Sequence, residues 1–396
     1  MSSPDILLVS NGFGEMAIVT YIARAIRAQS GAARIEHLAL VGRAHSDAWS
    51  TAVGPQADMP SGGLIAYWNL RNLAADIGAG LGALTLRQYG FLSKQRQRDV
   101  IVAVGDIYCL SLSLLAARRP TIFVATAKSD YVAPHSGIEL AIARRATAAF
   151  ARDEATAASM RAAGVAASYA GNIMMDGVER TSIDLGVKPD ALVIAVLPGS
   201  RADAAVAAAG QVQRLAAIAQ LMARRGGSVQ ALVSIAPSVE AAAVRAAIRS
   251  AGVDLTPPAP GVGVIASGQR DNLEVTLVRG AFGDMIAAAA IVLGQGGTAN
   301  EQAAGCGKPV IAAAQPGEAP EKMQWYRMRQ KRLLGDALLV LPPQPQLFAA
   351  EVVRLVDDPQ RVAHMADTGR RRMGSPGGAQ AVAHKALSLA TGKART

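Results

Sequence analysis

The chain has 396 residues, 51% of them hydrophobic and only 18% charged, so it contains enough apolar material for the cores of roughly two globular domains. Its 40 Lys and Arg residues exceed its 30 Asp and Glu residues, and the resulting charge of +10 favours an anionic partner. Aromatic residues amount to 4% and do not alternate with the basic clusters, which argues against the stacking platforms of single-strand binders, and we expect no nucleic-acid partner.

Cysteine usage and hydropathy indicate the compartment. Cys109 and Cys306 lie in apolar surroundings without CxxC spacing, which argues against a disulfide framework or a zinc site and predicts a reduced, cytoplasmic setting. Residues 1–4 lead directly into the strand-like DILLVS, without the basic and apolar regions of a secretory signal. No uncharged apolar run reaches about 18 residues, so we expect any membrane contact to be peripheral.

Short apolar runs alternate with alanine-rich helical stretches along the chain, the βαβ pattern of a parallel sheet. The first group of predicted strands covers residues 5–10, 33–40, 99–105 and 121–125. The second group covers residues 191–199, 231–237, 273–278, 291–294 and 308–313. This pattern predicts an α/β fold of two Rossmann-like domains, residues 1–180 and 190–365, with parallel sheets facing across a cleft. Residues 366–396 are predicted to be helical and able to pack back on the first domain.

The segment 61–98 lies between two strands of the first domain and is too long for an ordinary connection. Its apolar residues recur at helical spacing, at Leu70, Leu73, Ile77, Leu81 and Leu84. The aromatic residues Tyr67 and Trp68 lie at one end, and the basic residues Arg87, Lys94, Arg96 and Arg98 lie at the other. This combination predicts an interfacial element that contacts a membrane or a lipid acceptor. The alternative is a helix buried on the sheet or in a dimer interface.

Ligands of open α/β sheets bind beyond the carboxyl ends of the strands. That rule selects five loops as the candidate site, at residues 10–15, 105–106, 127–130, 198–201 and 294–298. The first loop, with GFGEMA, also fits the dinucleotide fingerprint GxGxxA, but the acid expected at the end of the next strand is absent. We prefer an acceptor site here, formed by Asn11, Gly12, Gly14, Lys128 and Ser129; glycines that only let a helix pack on the sheet are the alternative.

The last of these loops, LGQGGTANE, joins a short strand to a helix. Gly294, Gly296 and Gly297 allow a tight turn and the close approach of a ligand, and Thr298 can cap a helix that runs to about Ala304. Unpaired N–H groups at a helix start favour an anion, so the loop is typical of a phosphate or pyrophosphate site.

Three motifs carry a family resemblance: GNIMMDG at 171–177, LPGSR at 197–201 and GTANEQAAGCGKPVI at 297–311. They resemble the lipid A disaccharide synthase group of glycosyltransferases, especially uncharacterised relatives with an SNGxGE-type loop, and the third is also similar to the donor loop of the peptidoglycan GlcNAc transferase. The resemblance runs through most of the chain and implies the GT-B fold, a nucleotide-sugar donor and neither metal nor cofactor. The absence of a DxD motif from the sequence agrees with a reaction that uses no metal ion. Here NGFGEM replaces the GExSGD opening of true lipid A disaccharide synthases, which argues against the lipid A precursor as the acceptor.

The resemblance also implies donor-site residues. Gly296, Gly297 and Thr298 would contact the pyrophosphate, and Glu301 would accept from both ribose hydroxyls; the alternative is a Thr298–Glu301 capping box that only closes the helix start. The resemblance also implies that Gln324 contacts the donor sugar, and further donor contacts are expected from Gly199, Ser200 and Arg201. Arg201 would neutralise the leaving diphosphate, or else be an ordinary surface arginine.

The transfer reaction needs a base for the acceptor hydroxyl. Asp106 directly follows a predicted strand and is our first choice, with an N-cap for the helix near Ile107 as its alternative role; Glu15 is the second choice and His135 the third. We therefore predict a metal-independent inverting glycosyltransferase that moves a sugar, expected to be UDP-linked, to a lipid or lipid-linked acceptor at the inner face of the cytoplasmic membrane. A UDP-GlcNAc 2-epimerase and a non-catalytic nucleotide-binding protein are the alternatives.

Overall fold

The computed structural model describes residues 3–59, 76–199, 203–257, 263–295, 297–314 and 320–392, apart from the side chains of Phe13 and residues 320–325. The chain divides into two compact units. The first comprises Met1–Gly177 together with Ser375–Thr396, and the second comprises Val178–Gly374.

The first unit contains a seven-stranded parallel sheet. Its strands are β1 (Asp5–Ser10), β2 (Arg34–Ala39), β3 (Thr51–Ala52), β4 (Val100–Gly105), β5 (Thr121–Ala125), β6 (Ala148–Ala151) and β7 (Ala167–Ser168). They follow the order β3-β2-β1-β4-β5-β6-β7, and every neighbouring pair is parallel. The central strands are continuous apolar runs because helices cover both faces of the sheet.

Helices connect these strands on both faces. They are α1 (Phe13–Gln29), α2 (Leu81–Ser93), α3 (Ile107–Ala117), α4 (Gly137–Ala143) and α5 (Glu154–Ala162), followed by a 3₁₀ turn at Ile173–Gly177. Side chains cap three of them: Asp106 caps α3, Asp153 caps α5, and Ser136 forms a capping box with Glu139 at α4. These caps satisfy helix N–H groups that have no partner within the helix.

The second unit contains another seven-stranded sheet. Its strands are β8 (Ala191–Leu197), β9 (Ser228–Ser234), β10 (Val264–Arg270), β11 (Leu273–Val278), β12 (Ile291–Gly294), β13 (Val310–Ala313) and β14 (Leu338–Leu341). Their order is β10-β11-β9-β8-β12-β13-β14. All pairs are parallel except the edge hairpin β10–β11, which turns at Asp271 with a φ of 52°. The two Rossmann-like domains predicted from the sequence are confirmed, with one antiparallel edge strand that was not expected.

The helices of the second unit complete its layers. They are α6 (Ala204–Ala223), α7 (Ala241–Ser250), α8 (Phe282–Ala288), α9 (Thr298–Gly305), α10 (Pro320–Leu334), α11 (Pro345–Val356) and α12 (Pro359–Met373). The core lies between α6, α7, α11 and the sheet. At the entry to this unit, the carboxylate of Asp284 accepts hydrogen bonds from the backbone of Thr181 and Ser182 and fixes the start of the segment.

The last helix, α13 (Gly378–Ala390), belongs to the first unit. Ala379, Val382, Ala383 and Ala386 are buried with the apolar side chains of α1 and the sheet. The carboxylate of Asp176 accepts hydrogen bonds from the backbone N–H groups of residues 377 and 379, which fixes the start of α13. The chain therefore returns to its first unit after completing the second.

The segment 61–98 differs in part from its prediction. Tyr67, Trp68, Leu70 and Leu73 lie outside the described residues. Leu81 and Leu84 are buried in a cluster with Val41 and Met59, as in the alternative of a helix packed on the domain. The exposed apolar side chains of the described part are those of Ile77, Leu86 and Tyr89.

Arg98 does not belong to an exposed basic cluster. Its side chain is 3% exposed and forms ion pairs with Asp5, at 2.5 Å, and with Glu36. The prediction that Arg98 faces a membrane is therefore wrong, because this guanidinium is buried against the carboxylates of Asp5 in β1 and Glu36 in β2. Arg87, Lys94 and Arg96 are exposed. Among the described residues, no helix combines the length and the apolar character needed to cross a bilayer.

Candidate functional site

The first group of polar side chains lies at the carboxyl edge of the first sheet, where β1 and β4 are neighbours. Asp106 directly follows β4 and is 8% exposed. Its Oδ1 accepts from the backbone N–H of Cys109 at 3.0 Å, and its Oδ2 accepts from Nδ2 of Asn11 at 3.0 Å. Burial raises the pKa of the Asp106 carboxyl, while these two hydrogen bonds lower it. Asp106 thus has the geometry of the N-cap that was its alternative role, and both of its oxygens have partners within the protein.

Glu15, in the first turn of α1, is the second carboxylate of this group. Burial, together with the neighbouring charge of Asp106, raises the pKa of Glu15 to about 7, and its own backbone N–H and the cation of Arg152 oppose that shift. The side chain is only partly buried. It passes over Gly105, where an added Cβ would lie 3.3 Å from Cγ of Glu15, so a glycine at the end of β4 makes room for this carboxylate. A carboxylate with a pKa near 7 suits a general base at neutral pH.

The predicted acceptor residues occupy two neighbouring regions. Gly12 precedes α1 with a φ of 122°, and Gly14 is exposed within the first turn of α1 with open space where a Cβ would lie. Asn11 is 5% exposed and bonds to Asp106. These three residues therefore lie together beside Glu15.

Lys128 and Ser129 lie in the loop after β5, where both make internal contacts. Nζ of Lys128 is 2.8 Å from the carboxylate of Glu139, and Ser129 is 2% exposed while its carbonyl closes a turn with Val132. His135 lies in the same loop, and burial lowers its pKa. The roles of Lys128 and Ser129 in acceptor binding stay predictions, although both side chains also stabilise the loop itself.

The second group lies at the carboxyl edge of the second sheet, where β8 and β12 are neighbours. Gly294 pairs with Leu197, and the N–H of Gln295 donates to the carbonyl of Leu197 at 3.2 Å, so the two loops leave the sheet side by side. Gly199 is exposed, with a φ of 106° and open space around its Cα. Three predicted donor residues, Ser200, Arg201 and Gly296, lie outside the described residues.

The start of α9 differs from its prediction by one residue. Gly297, with a φ of 83°, is the N-cap, and this residue has no side chain that could accept a hydrogen bond from the first turn of the helix. Thr298 is the first helical residue and is exposed, so it does not cap the helix, and the helix runs to Gly305. The alternative of a Thr298–Glu301 capping box is therefore wrong, because Gly297 and not Thr298 is the N-cap of the helix.

Two amide side chains missed in the sequence join α9 to α10. Asn300 is fully buried, and its Nδ2 donates to Oε1 of Gln330 at 3.0 Å. Nε2 of Gln330 in turn donates to the carbonyl of Gly297 at 3.1 Å. This chain of hydrogen bonds fixes the glycine loop against α10, the helix that also carries Gln324, whose side chain lies outside the described atoms. The signal available in the sequence was an asparagine inside a short helix, which is an unfavourable position without a tertiary partner.

Within the described part of the chain, no group of three or more His, Cys, Asp or Glu side chains is arranged to hold a metal ion.

Comparison with solved structures identifies the class of fold. MurG of Acinetobacter baumannii aligns with a TM-score of 0.56 at 13% identity over 97% of this chain and 99% of its own. A putative UDP-N-acetylglucosamine 2-epimerase of Listeria monocytogenes aligns with a TM-score of 0.58 at 13% identity, over 100% of this chain and 98% of its own. UGT2 of Phytolacca americana, complexed with UDP-2fluoro-glucose and pterostilbene, aligns with a TM-score of 0.55 at 12% identity, over 98% of this chain and 100% of its own. The fold is that of the GT-B class. No protein-family model and no curated protein sequence matches the chain.

Proposed function

We propose that this chain is a glycosyltransferase that moves a sugar from a UDP-linked donor to a lipid or lipid-linked acceptor. The observation that carries the proposal is the start of α9, where a glycine loop leads into a helix whose first turn has no side-chain cap. Such a terminus attracts a diphosphate through its N–H groups and its dipole. A fold shared with a protein that binds UDP-2fluoro-glucose supports a uridine diphosphate donor.

In the proposed donor complex, the backbone N–H groups after Gly297 hold the diphosphate. Glu301 lies one turn further along the same helix, where its carboxylate accepts from the ribose hydroxyls. Preorganised N–H groups also stabilise the charge that develops on the leaving diphosphate, so this step needs no metal ion.

The proposed base is Glu15 rather than Asp106. Both oxygens of Asp106 already accept hydrogen bonds that stabilise α3 and Asn11. Glu15 is partly exposed, and its raised pKa lets it take a proton near neutral pH. The acceptor oxygen forms a bond to the anomeric carbon as the bond to the diphosphate breaks; the acceptor proton passes to Glu15, and UDP leaves with the electron pair. Attack opposite the leaving group inverts the anomeric configuration.

An apolar acceptor is supported by the surface near α2. Leu86 is 74% exposed and Tyr89 is 44% exposed on this helix, and Ile77 just before it is 60% exposed. Arg87 and Lys94 are exposed on the same segment. Apolar and basic side chains together are typical of a surface that contacts lipid chains and anionic headgroups, which supports peripheral attachment to the inner face of the cytoplasmic membrane.

A UDP-GlcNAc 2-epimerase is the second candidate, since several proteins of that name share the fold. The two functions differ in their need for an acceptor. Incubation with UDP-GlcNAc alone releases or epimerises the sugar if the chain is an epimerase. A glycosyltransferase instead passes label from a radioactive UDP-sugar into organic-extractable lipid only when membranes are added.

The first test measures thermal protection by UDP. We expect UDP to raise the melting temperature of the wild type and Glu301→Ala to weaken UDP binding by about tenfold, because hydrogen bonds to a charged group contribute roughly 1.5 to 3 kcal/mol. Glu240→Ala is the matched control: it removes an exposed carboxylate at the start of α7, which makes no side-chain cap. Equal protection of wild type and Glu301→Ala would remove Glu301 from the donor site, and no protection of the wild type would overturn the nucleotide proposal.

A further inference from the structure

Gln295 is the first residue of the glycine loop, directly after β12. Its backbone N–H bonds to Leu197, but the side-chain Oε1 and Nε2 are both buried and make no hydrogen bond. A primary amide buried in this way loses its contacts with water at both ends and receives none in return.

A second buried amide, that of Asn300 in α9, follows the same loop and is unsatisfied at one end. Asn300 is fully buried, and its Oδ1 has no hydrogen-bond partner although its Nδ2 bonds to Gln330. This oxygen lies against Gly294, where an added Cβ would be 1.7 Å away. Gln295 and Asn300 thus have three buried polar atoms without hydrogen-bond partners.

The position of Gln295 does not require a polar residue for the fold. An apolar side chain of the same size would avoid the desolvation cost of a buried polar group without a partner. By contrast, the buried amide of Gln230 in β9 has partners at both ends: its Oε1 accepts from the N–H of Lys188 and its Nε2 donates to the carbonyl of Gly186. The amide of Gln295 therefore costs stability in the ligand-free protein.

We propose that Gln295 recognises the sugar of the donor, an inference that rests on the proposed function. The diphosphate offers only acceptors at neutral pH and can satisfy Nε2 alone. A hexose offers hydroxyl or amide groups that both donate and accept, and can satisfy both ends of the side chain.

The order of groups in the donor agrees with this assignment. In the proposed donor complex, the ribose lies at Glu301 and the diphosphate at Gly297, so the sugar would follow beyond the start of α9, next to Gln295 at the end of β12. Binding requires the buried amide to turn from its ligand-free position toward the sugar. The unsatisfied amide thereby favours the sugar-bound arrangement of the loop over the ligand-free one.

The test uses Gln295→Leu in the full chain and compares UDP with UDP-GlcNAc and UDP-glucose by calorimetry. Without ligand, we expect the melting temperature of the variant to rise by about 2 to 4 °C, because an unsatisfied buried amide is removed. UDP affinity should change less than about twofold. The affinity for the UDP-sugar that the wild type prefers should fall by about tenfold, the usual scale for lost hydrogen bonds to a sugar. Gln295→Met, which keeps the unbranched shape, provides the same comparison if the leucine variant does not fold.

Gln230→Leu is the matched control. It removes a satisfied amide and should lower the melting temperature, while the preference for UDP-sugar over UDP stays unchanged. Unaltered UDP-sugar affinity in Gln295→Leu overturns the sugar assignment, and so does an equal loss of UDP and UDP-sugar, which would assign the amide to the diphosphate. Failure of UDP to bind the wild type is a different result: it refutes the proposed function and this inference with it.

Discussion

Glu15 and Asp106 occupy the same edge of one sheet but differ in what surrounds each carboxylate. The hydrogen bonds of Asp106 come from Cys109 and Asn11, and they fix it as a helix cap. Glu15 has a pKa raised to about 7, chiefly through burial and the nearby charge of Asp106. The Asp106 side chain therefore stabilises the fold, whereas the pKa of Glu15 suits proton transfer near neutral pH.

The raised pKa of Glu15 gives a prediction for stability and pH. Because the folded pKa of about 7 exceeds the ordinary value of 4.5, the folded protein retains a proton that the unfolded chain releases. The associated stability is complete below pH 4.5 and is lost as the pH rises through 7. Glu15→Gln should therefore leave the stability at pH 4.5 nearly unchanged and raise it by about 1 to 3 kcal/mol at pH 9, measured by urea unfolding.

The same variant, Glu15→Gln, also tests whether Glu15 is the catalytic base. If Glu15 is the base, Glu15→Gln abolishes transfer while UDP still protects the protein, and wild-type transfer rises with pH through about 7. Asp106→Asn serves as the comparison, since it keeps an oxygen for the Cys109 cap. A stability difference that is the same at every pH would show that Glu15 is ionised normally.

At the scale of elements, the passage from β12 into α9 is tightly packed at Gly294. Gly294 lies against the amide of Asn300, which continues to Gln330 and back to Gly297. The loop is thus shaped by close contact on its protein side, and Gly297 has the positive φ that favours glycine.

We predict that Gly294→Ala destabilises the protein by about 3 kcal/mol, because its Cβ would lie 1.7 Å from Oδ1 of Asn300 and the helix start would have to move. UDP protection should be lost together with stability. Gly90→Ala is the matched control: it lies inside α2 with nothing within 4 Å of the added Cβ. Better helix propensity should make it neutral or more stable by up to about 1 kcal/mol. Equal melting temperatures for Gly294→Ala and the wild type would contradict the crowding.

At the scale of the whole molecule, the chain crosses from its first unit to its second at residue 178 and returns at residue 375. The helix α13 covers apolar side chains of α1 and the sheet, including Ile18 and Ile22. All the described residues of this cluster belong to the first unit, so we expect the two units to depend on α13 to different extents.

Removal of Ser375–Thr396 should therefore destabilise the first unit selectively, by more than about 3 kcal/mol, since it exposes Val382 and the side chains beneath it. Limited proteolysis with mass spectrometry should place new cleavages within residues 1–177 and leave 178–374 intact. Removal of residues 393–396 alone, beyond α13, should leave the digestion pattern unchanged. Similar proteolysis of both units after the longer truncation would contradict the assignment of α13.

The alternation of apolar runs with helical stretches was sufficient to predict two α/β domains and most of the central strands. Weak or very short strands were missed: β3, β6, β7, β10 and β14. These strands lie at or near sheet edges, where few consecutive buried residues are needed and the local pattern is faint. Since the strand before Arg152 was missed, the sequence did not indicate that this arginine would lie beside Glu15.

The sequence by itself determined which loops follow the strands, and hence that Glu15, Asp106 and the glycine loop lie at the carboxyl edges of their sheets. Local composition is enough for that, because strand and helix periodicity are properties of neighbouring residues. Only the tertiary structure decided that Asp106 bonds to Asn11, that Arg98 is buried and that the side-chain amide of Gln295 has no hydrogen-bond partner among the described residues. Each of these depends on burial or on a contact between residues far apart in the chain, and the sequence pattern contains neither.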